Sequence, residues 1–325
     1  MSEADFKLTP DSILDAIEAA CPASRATGHT LALNSVENRV YQVGFEDGSF
    51  AVAKFYRAQR WTKEQILEEH AFIRALVEAE VPAVAPLPLS AGADLMGPTL
   101  ARSRDGLYYA VFPKIRGRLL DELDDEKLRV LGRYFGRLHG VGLRHPRSTR
   151  PQLTPELWGL KSLDDLSRLG FFDSPSAERY EQVADALVER IQNGFAELPV
   201  QALHGDAHCG NVLWNEAGPF IVDFDDMLYG PPVQDIWMVV RGRDAEAERQ
   251  RGVLLEAYRE MQPFEEWTLG WIEALRALRM IHYSAWIARR WQDPSFPMLF
   301  PHFGSERWWN DETQALMEIE ALMGG

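Results

Sequence analysis

Asp206, Asn211 and Asp223 are the residues whose types and spacing could do chemistry together. They stand in Leu203-His204-Gly205-Asp206-Ala207-His208-Cys209-Gly210-Asn211-Val212-Leu213-Trp214 and in Phe220-Ile221-Val222-Asp223-Phe224-Asp225-Asp226. Short apolar strands bracket a polar loop, with a carboxylate at the end of each apolar run. An amide five residues after the first carboxylate, and a second carboxylate twelve further on, are the layout of a phosphoryl-transfer site. One carboxylate accepts a hydroxyl proton, and the amide and the other carboxylate hold Mg²⁺. Gly205 and Gly210 let the loop turn sharply and approach a substrate.

Competing readings of these residues are weaker. A single Asp in a loop is ordinarily a turn cap, but three groups at this spacing point away from that. His204, His208 and Cys209 offer H-x₃-H-C without a second ligand pair, and carboxylates with an amide suit a hard cation better than zinc. Cys209 in the loop raises the idea of a redox switch, against the simpler reading of a small residue in a tight turn. Asp225 and Asp226 are secondary candidates for the metal; since three carboxylates in four residues cannot all stay unpaired, the alternative for one of them is to answer a buried arginine. Asp235 reads as a charge at a helix N-terminus.

The elements that must position these groups can be read from periodicity. Thr9-Pro10-Asp11 opens a helix with Ile13, Leu14 and Ile17 on one face, ended at Cys21-Pro22. Residues 31–56 form a hairpin: Arg39–Phe45 alternates, Glu46–Ser49 turns, and Phe50–Phe55 continues the pairing. Lys54 sits in that otherwise apolar strand, and a helix from Thr62 to Glu80 follows, carrying Glu68 and Glu69. A second hairpin flanks Ser103–Gly106. Beyond Phe112–Gly117 the chain turns helical, with helices opening at Asp124 and ending at His139-Gly140, and over 176–198, 244–262, 265–292 and 306–323. The connection over 144–160 is basic and Pro-rich. Arg276, Arg279, Arg289 and Arg290 lie on a largely apolar helix, which predicts pairing with the acidic site region or a docking face. Trp308-Trp309 reads as core.

Composition narrows the class. At 325 residues, one large or two linked domains are expected. Forty-nine Asp and Glu against 34 Lys and Arg give a net charge of −15, which repels phosphate backbones, so no nucleic-acid partner is expected. No apolar run reaches the roughly 20 residues of a membrane span, Met1–Asp5 shows no signal pattern, and two distant cysteines favour a reducing cytoplasm.

His-Gly-Asp-x-His-x-x-Asn followed by an apolar strand ending in Asp resembles the aminoglycoside phosphotransferase/choline kinase family, relatives of the protein kinases, although Gly205 stands where protein kinases place Arg. Asn34–Tyr41, Lys54–Arg57, Gln65–His70, Gly230–Met238 and Arg289–Trp291 extend the likeness over nearly the whole chain, toward the bacterial stress-response kinases. The resemblance implies an α+β, bilobal protein-kinase-like fold: an N-lobe over 1–114, with an antiparallel sheet and one long helix, and a mainly helical C-lobe over 115–325. It implies ATP and Mg²⁺ as cofactors. Asp206 is then the base, with Asp223 catalytic and, with Asn211, metal-holding. Ser35 meets the phosphates from a loop without glycine, Lys54 is paired by Glu69 rather than Glu68, and the backbone of Phe112, Lys114 and Ile115 meets adenine. The implied partner is a protein bearing a Ser/Thr acceptor, the chain itself included, and the implied state is a cytoplasmic monomer. Two alternatives stay open: a small-molecule acceptor such as an aminoglycoside, choline or homoserine, and a nucleotide-binding pseudokinase, which the presence of Lys54, Asp206, Asn211 and Asp223 opposes.

Overall fold

A computed structural model describes residues 8–21 and 25–324. The readings at Met1–Asp5 and Pro22 lie outside the described residues. Helix α1 (Pro10–Ala20) is closed at its start by a reciprocal Thr9–Ser12 capping box. Strands β1 (Ala26–Leu33), β2 (Arg39–Phe45) and β3 (Phe50–Phe55) lead into α2 (Lys63–Glu78). Then come β4 (Asp94–Gly97), β5 (Leu100–Arg102), β6 (Tyr108–Pro113), β7 (Arg118–Leu119) and α3 (Asp125–Arg144). The first six strands form one antiparallel sheet in the order β1-β2-β3-β6-β5-β4.

The period-two alternation of β3 decides what lies on each face. Ala51, Ala53 and Phe55 pack with Ile13 and Ile17 of α1, whereas Tyr56 packs with Ile66 of α2. Lys54 shares the Tyr56 parity and so faces α2 rather than α1. Within α2, Glu69 lies in the buried stripe of Ile66, Ile73 and Leu76, three or four residues from its neighbours.

The remaining elements are α4 (Lys161–Arg168), α5 (Pro175–Phe195), β8 (Gln201–Leu203), β9 (Val212–Asn215), β10 (Gly218–Ile221) and β11 (Leu228–Gly230). After them come α6 (Val233–Val239), α7 (Ala245–Arg259), α8 (Ile272–Ala288), α9 (Ser295–Leu299) and α10 (Glu306–Met323). Packing gathers the chain into two compact units. One comprises the described residues up to Arg150 with His204–Met227 and Met238–Pro263; the other comprises Pro151–Leu203, Leu228–Trp237 and Phe264 onward.

Within the first unit, β9 is flanked by β7 and β10. Helix α3 runs through His139-Gly140 to Arg144 instead of ending there. The glycines are packing residues: a Cβ on Gly132 would stand 2.1 Å from the Leu254 carbonyl oxygen, and one on Gly136 would stand 2.8 Å from Met261 Cβ. His139 is a core residue, 3.0 Å from the Tyr258 hydroxyl.

Within the second unit, the helix expected over 265–292 begins as a 3₁₀ turn, Glu266–Trp271, before α8. Two of its arginines have ion-pair partners within this unit. Arg289 bonds Asp165 at 2.7 Å, and Arg276 pairs with Glu273 at 3.3 Å while lying over the Trp237 ring. For Arg276, a glutamate three residues earlier on the same helix face is met at little entropic cost. Trp309 is fully buried. No helix among the described residues is long and apolar enough to cross a membrane.

Candidate active site

Every charged group of the site belongs to the first unit. Lys54 Nζ lies 3.0 Å from Asp223 Oδ1, 3.1 Å from Asp225 Oδ1 and 3.9 Å from Glu69 Oε1. Burial alone would lower the Lys54 pKa, but Asp223, Asp225 and Glu69 outweigh it and hold the ammonium well above its ordinary value. Burial pushes the Glu69 carboxyl up to about 7, against the pull of Lys54 and Arg150.

The adjacent glutamates of α2 do different work. Glu69 turns inward to Lys54 and to Arg150 Nη2 at 2.6 Å. Glu68 turns about 100° away, the angle between neighbours on a helix. It accepts from Ser148 N at 3.0 Å, Thr149 Oγ1 at 2.6 Å and Arg150 N at 2.8 Å.

Asp206 and Asn211 meet across the loop: the Asn211 amide donates to the Asp206 carbonyl at 3.0 Å and approaches Asp206 Oδ2 at 3.4 Å. His208 Nε2 is also 3.4 Å from that oxygen. Gly205, at φ +86°, provides the left-handed turn just before Asp206. His204 accepts from the Asp206 N–H at Nδ1, so its Nε2 carries the hydrogen donated to the Val222 carbonyl at 3.0 Å. The Val222 N–H in turn donates to the Asn211 carbonyl at 2.9 Å. These two bonds join the loop of Asp206 to the strand end that presents Asp223, itself at φ +62° with a half-exposed carboxylate. His204 is thus committed to backbone, not to a metal. Burial raises the Cys209 thiol above its ordinary pKa, which disfavours the reactive thiolate.

Of this acidic run, Asp225 is the carboxylate that answers a buried arginine. Arg60 Nη1 hydrogen-bonds Asp225 Oδ2, and Arg60 Nη2 meets Asp226 at 2.5 Å. Burial opposes ionisation of Asp225, but Arg60, Lys54 and Arg150 hold its pKa well below the carboxylate range. Arg60 also lies 3.7 Å from Glu37, which pairs with Arg57 at 3.2 Å. Ser35 accepts from the Asn38 N–H at 3.2 Å, and Asn38 accepts from the Arg57 N–H at 3.1 Å. The loop carrying Ser35 is therefore connected to the carboxylates beyond β10 through Glu37 and Arg60.

Phe112 and Ile115 are half-buried at and just beyond the end of β6, and the exposed Lys114 lies over the Phe50 ring at 4.8 Å. Among the described residues, no hydrogen bond or ion pair joins these three to Lys54 or Asp206.

Sequence reasoning missed Arg60 and Arg150. Arg150 Nε donates to the Gln65 carbonyl at 2.8 Å and Nη1 to the Asp225 carbonyl at 2.7 Å. The Trp61 ring centroid lies 4.2 Å from the Arg150 guanidinium and 5.2 Å from that of Arg60. The usable signal was an Arg-Trp pair just ahead of the glutamate-bearing helix, in a chain short of cations.

The donor set fits a hard divalent cation. Carboxylates outnumber cations around Lys54, and Asp223 and Asn211 offer oxygen ligands. Among the described residues no group of three or more His, Cys, Asp or Glu could hold a metal alone. One carboxylate and one amide oxygen suit Mg²⁺, which takes one or two carboxylates and completes its shell with phosphate and water.

Residues 29–270 match the model of the phosphotransferase enzyme family. The chain is 39% identical to a stress response kinase A of Salmonella paratyphi A, over 97% of this chain and 94% of the relative. It is 38% identical to the stress response kinase A of Escherichia coli K12, over 96% and 92%. It is 39% identical to a serine/threonine protein kinase RdoA of Salmonella typhimurium, over 97% and 94%. Among solved structures, an amicoumacin kinase in complex with AMP-PNP, Ca²⁺ and Ami matches with a TM-score of 0.67 and 19% identity, covering 88% and 89%. A spectinomycin phosphotransferase in complex with ADP and spectinomycin matches with a TM-score of 0.64 and 13% identity, covering 95% and 98%. The fold is thus the α+β protein-kinase-like one.

Proposed function

We propose that this chain, which belongs to the phosphotransferase enzyme family, transfers the γ-phosphoryl group of ATP to a Ser or Thr hydroxyl of a protein. The convergence of Lys54, Glu69, Asp206, Asn211 and Asp223 in one compact unit supports the transfer. The full-length relatives named as stress response and serine/threonine kinases support the protein acceptor.

In this reading Asp206 accepts the acceptor's hydroxyl proton, oriented by the Asn211 amide. Lys54, steadied by Glu69, positions phosphate oxygens, and Ser35 meets them from its loop. Backbone groups of Phe112, Lys114 and Ile115 receive adenine. Asn211, with its nitrogen spent on Asp206, and the half-exposed Asp223 would hold Mg²⁺, which when bound neutralises charge on the phosphates. Residues 1–114 serve the nucleotide, and 115–325 bring the catalytic loop, the metal ligands and the acceptor region. The protein works as a cytoplasmic monomer, and its own Ser/Thr hydroxyls are acceptors too.

The test is purified protein with γ-labelled ATP and Mg²⁺, offered a basic protein and a pool of small alcohols, beside Asp206→Asn. Label in protein Ser/Thr, lost in the variant, is the expected result. Label confined to a small alcohol assigns a small-molecule acceptor and overturns the protein-kinase reading. Absence of label in both leaves a nucleotide-binding protein without transfer.

A further inference from the structure

We propose that Arg150 is a positioning residue: it fixes Glu69, and through Glu69 the phosphate-facing Lys54, onto the turn that carries Asp225. The assignment rests on the phosphotransfer reading of the site.

The guanidinium is fully buried, and each of its three nitrogens has its own acceptor, two on α2 and one on the segment beyond β10. Nη2 reaches Glu69 Oε2 at 2.6 Å, the oxygen not turned to Lys54. Nε reaches the Gln65 carbonyl one turn earlier in α2, and Nη1 the Asp225 carbonyl beyond β10. The Arg150 backbone N–H is itself held by Glu68. The planar fork explains the residue type, since one guanidinium can serve three acceptors at fixed angles and a lysine ammonium cannot.

The chain of contacts runs in one direction. Lys54 stands 3.9 Å from Glu69, beyond hydrogen-bond range, so the carboxylate's orientation comes from its shorter bond to Arg150. Without Arg150, Glu69 is a buried carboxylate free to rotate or take a proton, and α2 keeps its Phe72–Phe224 ring contact but loses the guanidinium link to the Asp223–Asp226 segment. Trp61 covers the guanidinium and excludes water that would otherwise replace these bonds.

The experiment is a double-mutant cycle with Arg150→Met and Glu69→Gln, reading ATP turnover and thermal melting, with Arg150→Lys as a variant that keeps charge and stem. If Arg150 acts through Glu69, each single change lowers kcat/KM for ATP by about 30- to 100-fold, and the double variant falls no further than the worse single within about 2-fold. Arg150→Lys, folded by its melting curve, is expected to recover less than a tenth of the loss, with ~10-fold or more remaining. Losses that multiply in the double variant, or full activity in Arg150→Lys, overturn the assignment. Turnover by the unaltered enzyme is read first. Its absence overturns the functional reading and this assignment with it, whereas turnover with multiplying losses overturns only the role of Arg150.

Discussion

Lys54 Nζ lies 3.0 Å from Asp223 Oδ1, a bond between residues 169 apart in the chain. One cation thus joins the central sheet strand to the carboxylate proposed to hold the metal, and Glu69 and Asp225 flank it. Substituting Lys54→Met is expected to lower kcat/KM for ATP by about 10²-fold, the scale of a lost charge-stabilising donor. Steady-state kinetics at saturating Mg²⁺ check this; an unchanged value would remove Lys54 from the site.

Asp223→Asn separates the metal role from folding. The carboxylate is half-exposed, so the melting temperature is expected to move little. The Mg²⁺ concentration for half-maximal turnover is expected to rise at least ~10-fold, since a carboxylate ligand to a hard cation is replaced by an amide. A Mg²⁺ titration decides it.

Asp225 is buried between Arg60 and Lys54, so Asp225→Asn leaves Arg60 inadequately compensated. A loss of about 3–5 kcal/mol in stability is expected from breaking a buried pair. Its folded carboxyl pKa is depressed, so the stabilisation is present above the ordinary carboxylate pKa of about 3.9 and is lost as pH falls below it. Denaturant melts should therefore show the gap between the two proteins closing in acid. A gap that stays constant down to strong acid would contradict the assignment.

Glu69 acts with the opposite sign. Its carboxyl is raised to about 7, so the folded state binds a proton that the unfolded chain has released, and ionisation costs stability as pH rises toward 7. For function the ionised form is needed to face Lys54. The KM for ATP should rise as pH falls through about 7, and Glu69→Gln should lack that limb. A pH profile with the limb intact in the variant would assign it to another group.

Gly132 and Gly140 look alike in the sequence but should respond in opposite ways to alanine. At Gly132 a Cβ would lie 2.1 Å from backbone oxygen, so Gly132→Ala should destabilise by about 1–3 kcal/mol or more. At Gly140 the nearest atom is the end of the Gln262 side chain at 3.3 Å. There the gain in helix propensity, about 1 kcal/mol, should leave Gly140→Ala neutral or more stable. Thermal melts of both variants make the comparison.

The helix phase of α2 is legible in its residue pattern. Glu69 shares a stripe with Ile66, Ile73 and Leu76, while Glu68, also buried, shares one with Phe72 and Leu76, so the pattern narrows the inward glutamate to these two and packing chooses between them. Local pattern misleads at α3. Gly140 beside His139 reads as a helix end, yet the helix continues through it to Arg144, and it is Gly132, earlier in the same helix, that lets α7 approach closely.

What the sequence by itself determined is the local geometry. Asp206 and Asn211 meet because five residues and two glycines close one loop, and Lys54 faces α2 because strand parity leaves it no other side. Both follow from backbone periodicity, which acts over a few residues. The ion-pair partners were decided by the tertiary structure. Arg60 finds Asp225 across 165 residues, and Arg150 finds Glu69 across 81. Neither choice is written in spacing. An exposed arginine gains little from any one carboxylate in water; a partner is imposed only when packing strips both of solvent and leaves each the other's nearest opposite charge.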